Sequence, residues 1–212
     1  MKTEQTDRND RWIIVRIDGK IASISTDYRH LAAITARLAC TTQADIKAYK
    51  ELASRTERVS AETVGFDDVW KLRQTVGWED LVLLGTDFQK KVWKRLWELT
   101  HCSDTQSEES GKRRLFSYSD FAEICNNKAG VRAVAHAIGL NPVSVIIPCH
   151  LVVPKEAIDK IREIQRKAES TIFKGEDLCV SKILGDTAID FGEYSLGKDL
   201  KRRLISLEDL NL

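Results

Sequence analysis

The chain has 212 residues, enough for one large domain or two modest ones. Hydrophobic residues make up 42% and charged residues 31%, the balance of a globular protein, and no run approaches the roughly 20 apolar residues that a bilayer-spanning helix needs. The formal net charge is +1, so bulk charge does not mark a nucleic-acid binder, and any such surface must come from local clustering.

The polar stretch Met1 to Asp10 lacks the apolar core of a signal peptide, which argues against secretion. Cys40, Cys102, Cys125, Cys149 and Cys179 are odd in number and widely spaced. A disulfide framework is not expected, and a reducing compartment is: the nucleus, or the cytoplasm of a bacterium. Without a Cys-x-x-Cys pair or a His pair at helical spacing, no metal site is expected.

In chain order, Trp12 to Ile34 reads as strand, turn at Asp18-Gly19, strand, then helix from about Tyr28. Lys47 to Val76 mixes charged and apolar residues without clear caps. Thr86 and Gln89 have capping-box spacing, and Phe88, Val92, Leu96 and Leu99 recur at helical spacing, predicting a helix over 87–99. Its other face carries Lys90, Lys91, Lys94 and Arg95. The polar stretch Cys102 to Lys112 reads as an exposed loop. Ser119 to Cys125 and Ala129 to Ile138 are two short helices separated by Asn126-Asn127, the pattern of a helix-turn-helix. Lys112 to Leu140 holds five Lys or Arg against two Asp or Glu, so this stretch is locally basic. Arg132 and His136 are expected on its outer side, beside Gly130, Ala133 and Ala137.

The apolar run 143–147, stopped by Pro148, reads as a buried strand with Cys149-His150 at its exit. Lys155 to Glu169 is a charged helix with a narrow stripe of Ile158, Ile161 and Ile164, and Ser170 to Asp190 is irregular. The last helix begins near Gly197, with Leu200, Leu204 and Leu207 inward and Glu208 at the edge of that stripe.

A cysteine at the end of a buried run with a histidine beside it is a candidate nucleophile. The thiolate attacks, not the thiol, so something must take its proton. Histidine has a suitable intrinsic pKa, and a carboxylate can orient it and stabilise its charged form. Residue types alone leave open a structural cysteine with a chance neighbour, since free thiols usually behave as small buried hydrophobes.

The spelling narrows this. Asn141-Pro142-Val143-Ser144-Val145-Ile146-Ile147-Pro148-Cys149-His150 resembles the active-site signature of the O6-alkylguanine-DNA alkyltransferase family. Gly85-Thr86, Phe88-Gln89, Val92-Trp93, Ser117-Tyr118, Phe121-Ala122 and Arg132-Ala133-Val134 extend the likeness upstream. Tyr194-Ser195, Gly197, Lys201, Leu204 and Glu208 extend it downstream. The resemblance implies an α/β N-terminal support domain over 1–84. It also implies a mainly helical DNA-binding domain over 85–212, with a helix-turn-helix, an active-site cysteine turn and an insertion at about 155–190.

The implied activity is DNA repair by single-turnover, irreversible transfer of an alkyl (methyl) group from O6-alkylguanine in double-stranded DNA to Cys149, by a monomer and without a cofactor. Cys149 then corresponds to the acceptor, His150 to the base acting through a water, and Glu208 to the carboxylate holding that base. Asn141 corresponds to the brace of the turn, and Tyr118 to the phenol that rotates the backbone and protonates the leaving guanine. Arg132 corresponds to the finger entering the duplex, with Ser119, Gly130 and Ala133 beside it on DNA. Ser144, Val152, Tyr194 and Ser195 correspond to the substrate pocket. The physics fits this division: a stacked base must be flipped out to be reached, and a wedge can fill its place.

The sequence departs from the family pattern at Leu151, where an arginine is usual, at Leu196, where a glycine is usual, and at Asn127, where a proline is common. The insertion is expected to be a surface excursion that brings Val153 and Gly192 close together, with a protein-binding role as the alternative. Two other readings of the whole chain remain: an alkyltransferase-like protein that binds lesions without transfer, and a helix-turn-helix regulator for which Cys149 and Glu208 are incidental.

Overall fold

The computed structural model describes residues 11–27, 59–101, 114–170, 189–208 and 210. The helix expected from Tyr28, the loop from Cys102 to Lys112 and the stretch 171–188 lie outside them. By contacts the chain forms two compact units. One comprises Met1–Trp97 with Ala137–Pro148, the other Glu98–His136 with Cys149–Leu212.

The first unit is built on a three-stranded antiparallel sheet of order β2-β1-β3, with β1 at Arg11–Ile17, β2 at Lys20–Ser25 and β3 at Val59–Gly65. The expected hairpin is present. Asp18 and Gly19 take φ of 50° and 79°, the paired left-handed geometry that matches strand twist and that glycine adopts without strain. Helix α1 (Phe66–Thr75) follows β3 directly, and buried Trp12 meets Phe66 at 5.9 Å between ring centroids.

Helix α2 (Asp87–His101) starts with the capping box read from the sequence: Thr86 N–H donates to Gln89 Oε1 at 2.9 Å, and Gln89 N–H to Thr86 Oγ1 at 3.2 Å. Val92, Trp93 and Leu96 are buried, but Phe88 is not. In the first turn of the helix the inward position belongs instead to Gln89, whose amide closes the cap.

The far edge of β2 meets the run that precedes Cys149. Ile24 N–H and Ser23 Oγ both donate to Pro142 O at 2.9 Å, and Ile24 bridges Val143. Residues 143–147 are wholly buried as expected, yet they are a folded-back loop and not a strand. Ile147 N–H reaches Val143 O at 3.1 Å, Ser144 bridges Ile147, and Val145 has φ of 75°. Prolines at 142 and 148 remove two ladder donors, and Asn141 offers the loop backbone another partner.

In the second unit β4 (Phe116–Ser117) pairs in parallel with β5 (Val152–Val153). Helix α3 (Tyr118–Ile124) is capped by Ser117 Oγ, which accepts from Asp120 N–H at 3.1 Å. A turn and one 3-10 turn (Lys128–Gly130) lead to α4 (Val131–Gly139), as the helix-turn-helix reading expects. Asn126 takes the left-handed turn residue's φ of 54°. Ala137, expected outside, is buried; it lies one turn from Val134, on the inward side.

Helix α5 (Lys155–Ser170) confirms the charged helix but not the surface excursion. Ala157 and Ile161 are buried in a cluster with Leu151, Val153, Ile189, Phe191, Ile205 and Leu210, and Ile158 and Ile164 pack against it. The helix thus completes the core on which residue 151 sits. An arginine at 151 would bring an unpaired charge into that core, whereas Leu151 fills it. The expected closeness of the ends does hold: a Cβ on Gly192 would lie 2.9 Å from the Pro154 ring. Helix α6 (Lys198–Ser206) buries Leu200 and Leu204, while Leu207, beyond its end, is 47% exposed and its inward place is taken by Ile205.

Removing 155–189 should therefore unfold the second unit. As a finer test, Ile161→Ala should lower stability by about 2–4 kcal/mol, the usual range for emptying a well-packed aliphatic site, as measured by denaturant unfolding. An unchanged midpoint would show that α5 does not support this core.

Candidate active site

Cys149, His150 and Leu151 form a single 3-10 turn between the folded loop and β5. Cys149 is 4% exposed, and its Sγ–H donates to the Tyr194 hydroxyl at 3.7 Å. His150 and Glu208 have fully buried side chains, with Nε2 and Oε1 only 2.6 Å apart. A carboxylate can only accept, so Nε2 carries the hydrogen and Nδ1 is the nitrogen able to take a proton. The tertiary fold brings together residues 58 apart in sequence. Glu208 reaches the histidine because α6 packs into the core beside the turn through Leu200, Leu204 and Ile205.

Asn141 spans the preceding loop. Its Nδ2 donates to Ile147 O at 2.9 Å, and its Oδ1 accepts from Val143 N–H at 3.0 Å. Both ends of the amide are used on backbone, the geometry of a brace. Ser144 Oγ is buried, with no hydrogen-bond partner among the described residues.

The sequence marks Lys201 only as a position matching the family. The structure buries it to 1% exposure, with Nζ donating to Val152 O at 2.8 Å and lying 5.9 Å from the centre of the Tyr118 ring. Burial pulls its pKa down to about 8 against the opposing pull of Cys149, Asp190 and Glu193. An ammonium thus sits in the field of the Cys149 sulfur, as a charge from a residue other than 151. The sequence signal for it is a lysine three residues before Leu204 and one after Leu200, inside an apolar stripe. Tyr118, first residue of α3, is half-buried; burial, then Cys149 and Glu193, raise its pKa. Its phenol keeps its proton at neutral pH and is able to donate it.

Around the helix-turn-helix, Arg132, Ala133 and Ser119 are exposed, and Gly130 is half-buried. Ser119 Oγ lies 2.8 Å from Ser117 Oγ. A Cβ on Gly130 would come within 2.4 Å of the Asn127 amide, so a larger residue there would have to displace that side chain. Val152 has its side chain in the core and offers its carbonyl to Lys201; Ser195 is exposed next to half-buried Tyr194. Among the described residues no group of three His, Cys, Asp or Glu side chains could hold a metal ion.

These features define a helix-turn-helix protein with a buried thiol beside an acid-held histidine. Residues 87–170 match the family model described as the DNA-binding domain of 6-O-methylguanine DNA methyltransferase. A probable methylated-DNA–protein-cysteine methyltransferase of Acanthamoeba polyphaga mimivirus is 46% identical over 76 residues, covering 36% of this chain and 44% of the relative. The inducible methylated-DNA–protein-cysteine methyltransferase of Bacillus subtilis is 44% identical over 71 residues, 34% of each chain. The chain spans less than half the length of these relatives. The crystal structure of the O6-methylguanine-DNA methyltransferase of Pyrococcus kodakaraensis aligns over 92% of this chain and 89% of that one, at 22% identity and a TM-score of 0.47.

The Lys201 ammonium is charged below about pH 8 and is lost as pH rises through that value. Its support of a thiolate should follow the same course. Alkylation of Cys149 by iodoacetamide, followed by peptide mapping, should be about tenfold slower in Lys201→Met below pH 8, the effect of roughly one pKa unit from a nearby charge. The two proteins should converge above it. A ratio independent of pH would make Lys201 a structural residue only.

Proposed function

We propose that this chain repairs DNA by moving an alkyl group from the O6 position of guanine in duplex DNA onto Cys149, once per molecule. The observation that carries the reading is the buried 2.6 Å contact of His150 with Glu208 next to Cys149, in a chain whose residues 87–170 match the family model for the DNA-binding domain of 6-O-methylguanine DNA methyltransferase.

The chemistry balances with side chains alone. His150, held by Glu208, takes the thiol proton through a water, and the positive charge on the imidazole is matched by the buried carboxylate. The thiolate attacks the alkyl carbon in line with the O6 bond. A sulfur–carbon bond forms, the carbon–oxygen bond breaks, and its electron pair stays with guanine. Tyr118 supplies a proton to the departing base, which is a poor leaving group as an anion. The thioether has no hydrolysis step, so the protein is consumed and no cofactor is called for.

Access to the base needs flipping, which costs a few kcal/mol in stacking and pairing. Arg132 fills the vacated place, with Ala133 and Gly130 letting the backbone approach and Ser119 contacting phosphate. Asn141 holds the turn that presents the sulfur. Tyr194 and Ser195 border the base pocket, while the buried Val152 contributes only its backbone to the site. Residues 1–84 serve as the supporting domain and 85–212 as the working one, and the chain acts as a monomer.

DNA carrying labelled methyl on guanine O6 should leave its label on the protein, at Cys149 by peptide mapping. Cys149→Ser should lose transfer and keep lesion binding, because a hydroxyl is far less ionised than a thiol. Lesion binding by the wild type without label would favour the silent lesion-binding protein, and label on Cys125 would sink the assignment. Glu208→Gln should slow transfer sharply with DNA affinity near normal, whereas full activity would make Glu208 a merely structural acid. Arg132→Ala should slow repair in duplex DNA more than attack on the free modified base, which needs no flipping; equal slowing would reduce Arg132 to a structural role.

A further inference from the structure

A second basic surface lies wholly within the first unit, on residues that take no part in the proposed transfer. Lys90, Lys91 and Lys94 on α2 border a groove of about 450 Å³ whose remaining wall is Trp78, Leu81 and Leu83. Among the described residues none of the three lysines forms an ion pair, and Lys91 and Lys94 are exposed. Between Phe88 and Trp97 the helix carries no acidic residue.

The neighbouring acids are few and partly occupied. Asp87 lies at the helix start and on the groove. The Asp80 carboxylate is turned onto Gly77 N–H at 2.9 Å to cap the short turn Trp78–Asp80. Glu79 belongs to the same turn, and its carbonyl accepts from Lys20 Nζ at 2.8 Å, which adds a fourth cation beside the groove. In a chain of net charge +1 this is a strong local concentration of positive charge.

The helix-turn-helix is comparatively poor in free cations. Lys128 is paired with Glu123 at 3.1 Å, which leaves Arg132, the side chain already assigned to the gap in the stack. A duplex binder draws most of its affinity from phosphates neutralised by Lys and Arg, and those contacts position it without reading sequence. We propose that Lys90, Lys91 and Lys94 form a second DNA-backbone contact, taking the phosphates of duplex DNA along the open side of α2. The proposal rests on the reading of the chain as a duplex-DNA binder. The apolar wall gives the lysine stems a surface to lie on while their ammonium groups reach outward.

The test uses the full chain and a short random-sequence duplex without lesions. The triple variant Lys90→Gln, Lys91→Gln, Lys94→Gln should bind more weakly, and its plot of log affinity against log salt should be shallower by about two to three, close to one for each phosphate that is no longer neutralised. A triple Lys→Arg variant keeps the charge and should restore both values. Thermal unfolding checks that each variant is folded. Unchanged affinity and slope in a folded glutamine variant would overturn the proposal and leave the groove to another occupant, such as an acidic peptide. The labelled-methyl assay on the wild type separates the two readings. Label transfer with an unchanged slope defeats only the lysine surface. A reduced slope without label transfer defeats only the proposed activity.

Discussion

A carboxylate that leaves water must find a partner or lose its charge, and Glu208 finds the imidazole of His150 at 2.6 Å in a fully buried setting. The rest of the second unit can be understood as the means of keeping that contact. Helix α6 is held by Leu200, Leu204 and Ile205, so that the chain just beyond it ends against the 3-10 turn of Cys149. Lys201 fastens the same helix to β5 through the Val152 carbonyl. Removing one member of a buried pair leaves an uncompensated charge, with a cost of about 3–5 kcal/mol in comparable cases. The contact therefore serves the fold as well as the chemistry.

The first unit imposes a different constraint, on the chain leading into the thiol. Val145 is β-branched with φ of 75°, a conformation that costs on the order of 1–3 kcal/mol and persists only where its surroundings enforce it. The enforcement is visible in three places. The Asn141 amide holds both ends of the loop, β2 holds Pro142 and Val143, and residues 141–148 are buried without exception. The N-terminal sheet supports this loop by direct backbone contact.

Leu151 and helix α5 explain one another. In the family pattern an arginine would place charge beside the thiol, and the sequence departs from that pattern at the same place where it gains sixteen helical residues. The structure gathers Leu151, Ala157 and Ile161 in one apolar cluster and puts a buried ammonium, Lys201, in the field of Cys149. Apolar contact at 151 and positive charge near the sulfur come from separate side chains.

The sequence by itself determined the local elements, because local rules are written in adjacent residues. The Asp18-Gly19 turn, the Thr86–Gln89 capping box and the helices of the turn motif all follow from spacing and side-chain chemistry within a few positions. The order of motifs from Gly85 to Glu208 likewise pointed to the family whose model matches residues 87–170. Only the tertiary structure decided whether the run 143–147 was strand or loop, because periodicity reports burial and not which partner satisfies the backbone. It also decided that α5 is core and not excursion, since a narrow stripe of isoleucines looks the same whether or not something covers it. Burial of Lys201 and the meeting of Glu208 with His150 belong to the same class. They depend on distances between segments remote in sequence, and those distances are set by packing, which no local pattern encodes.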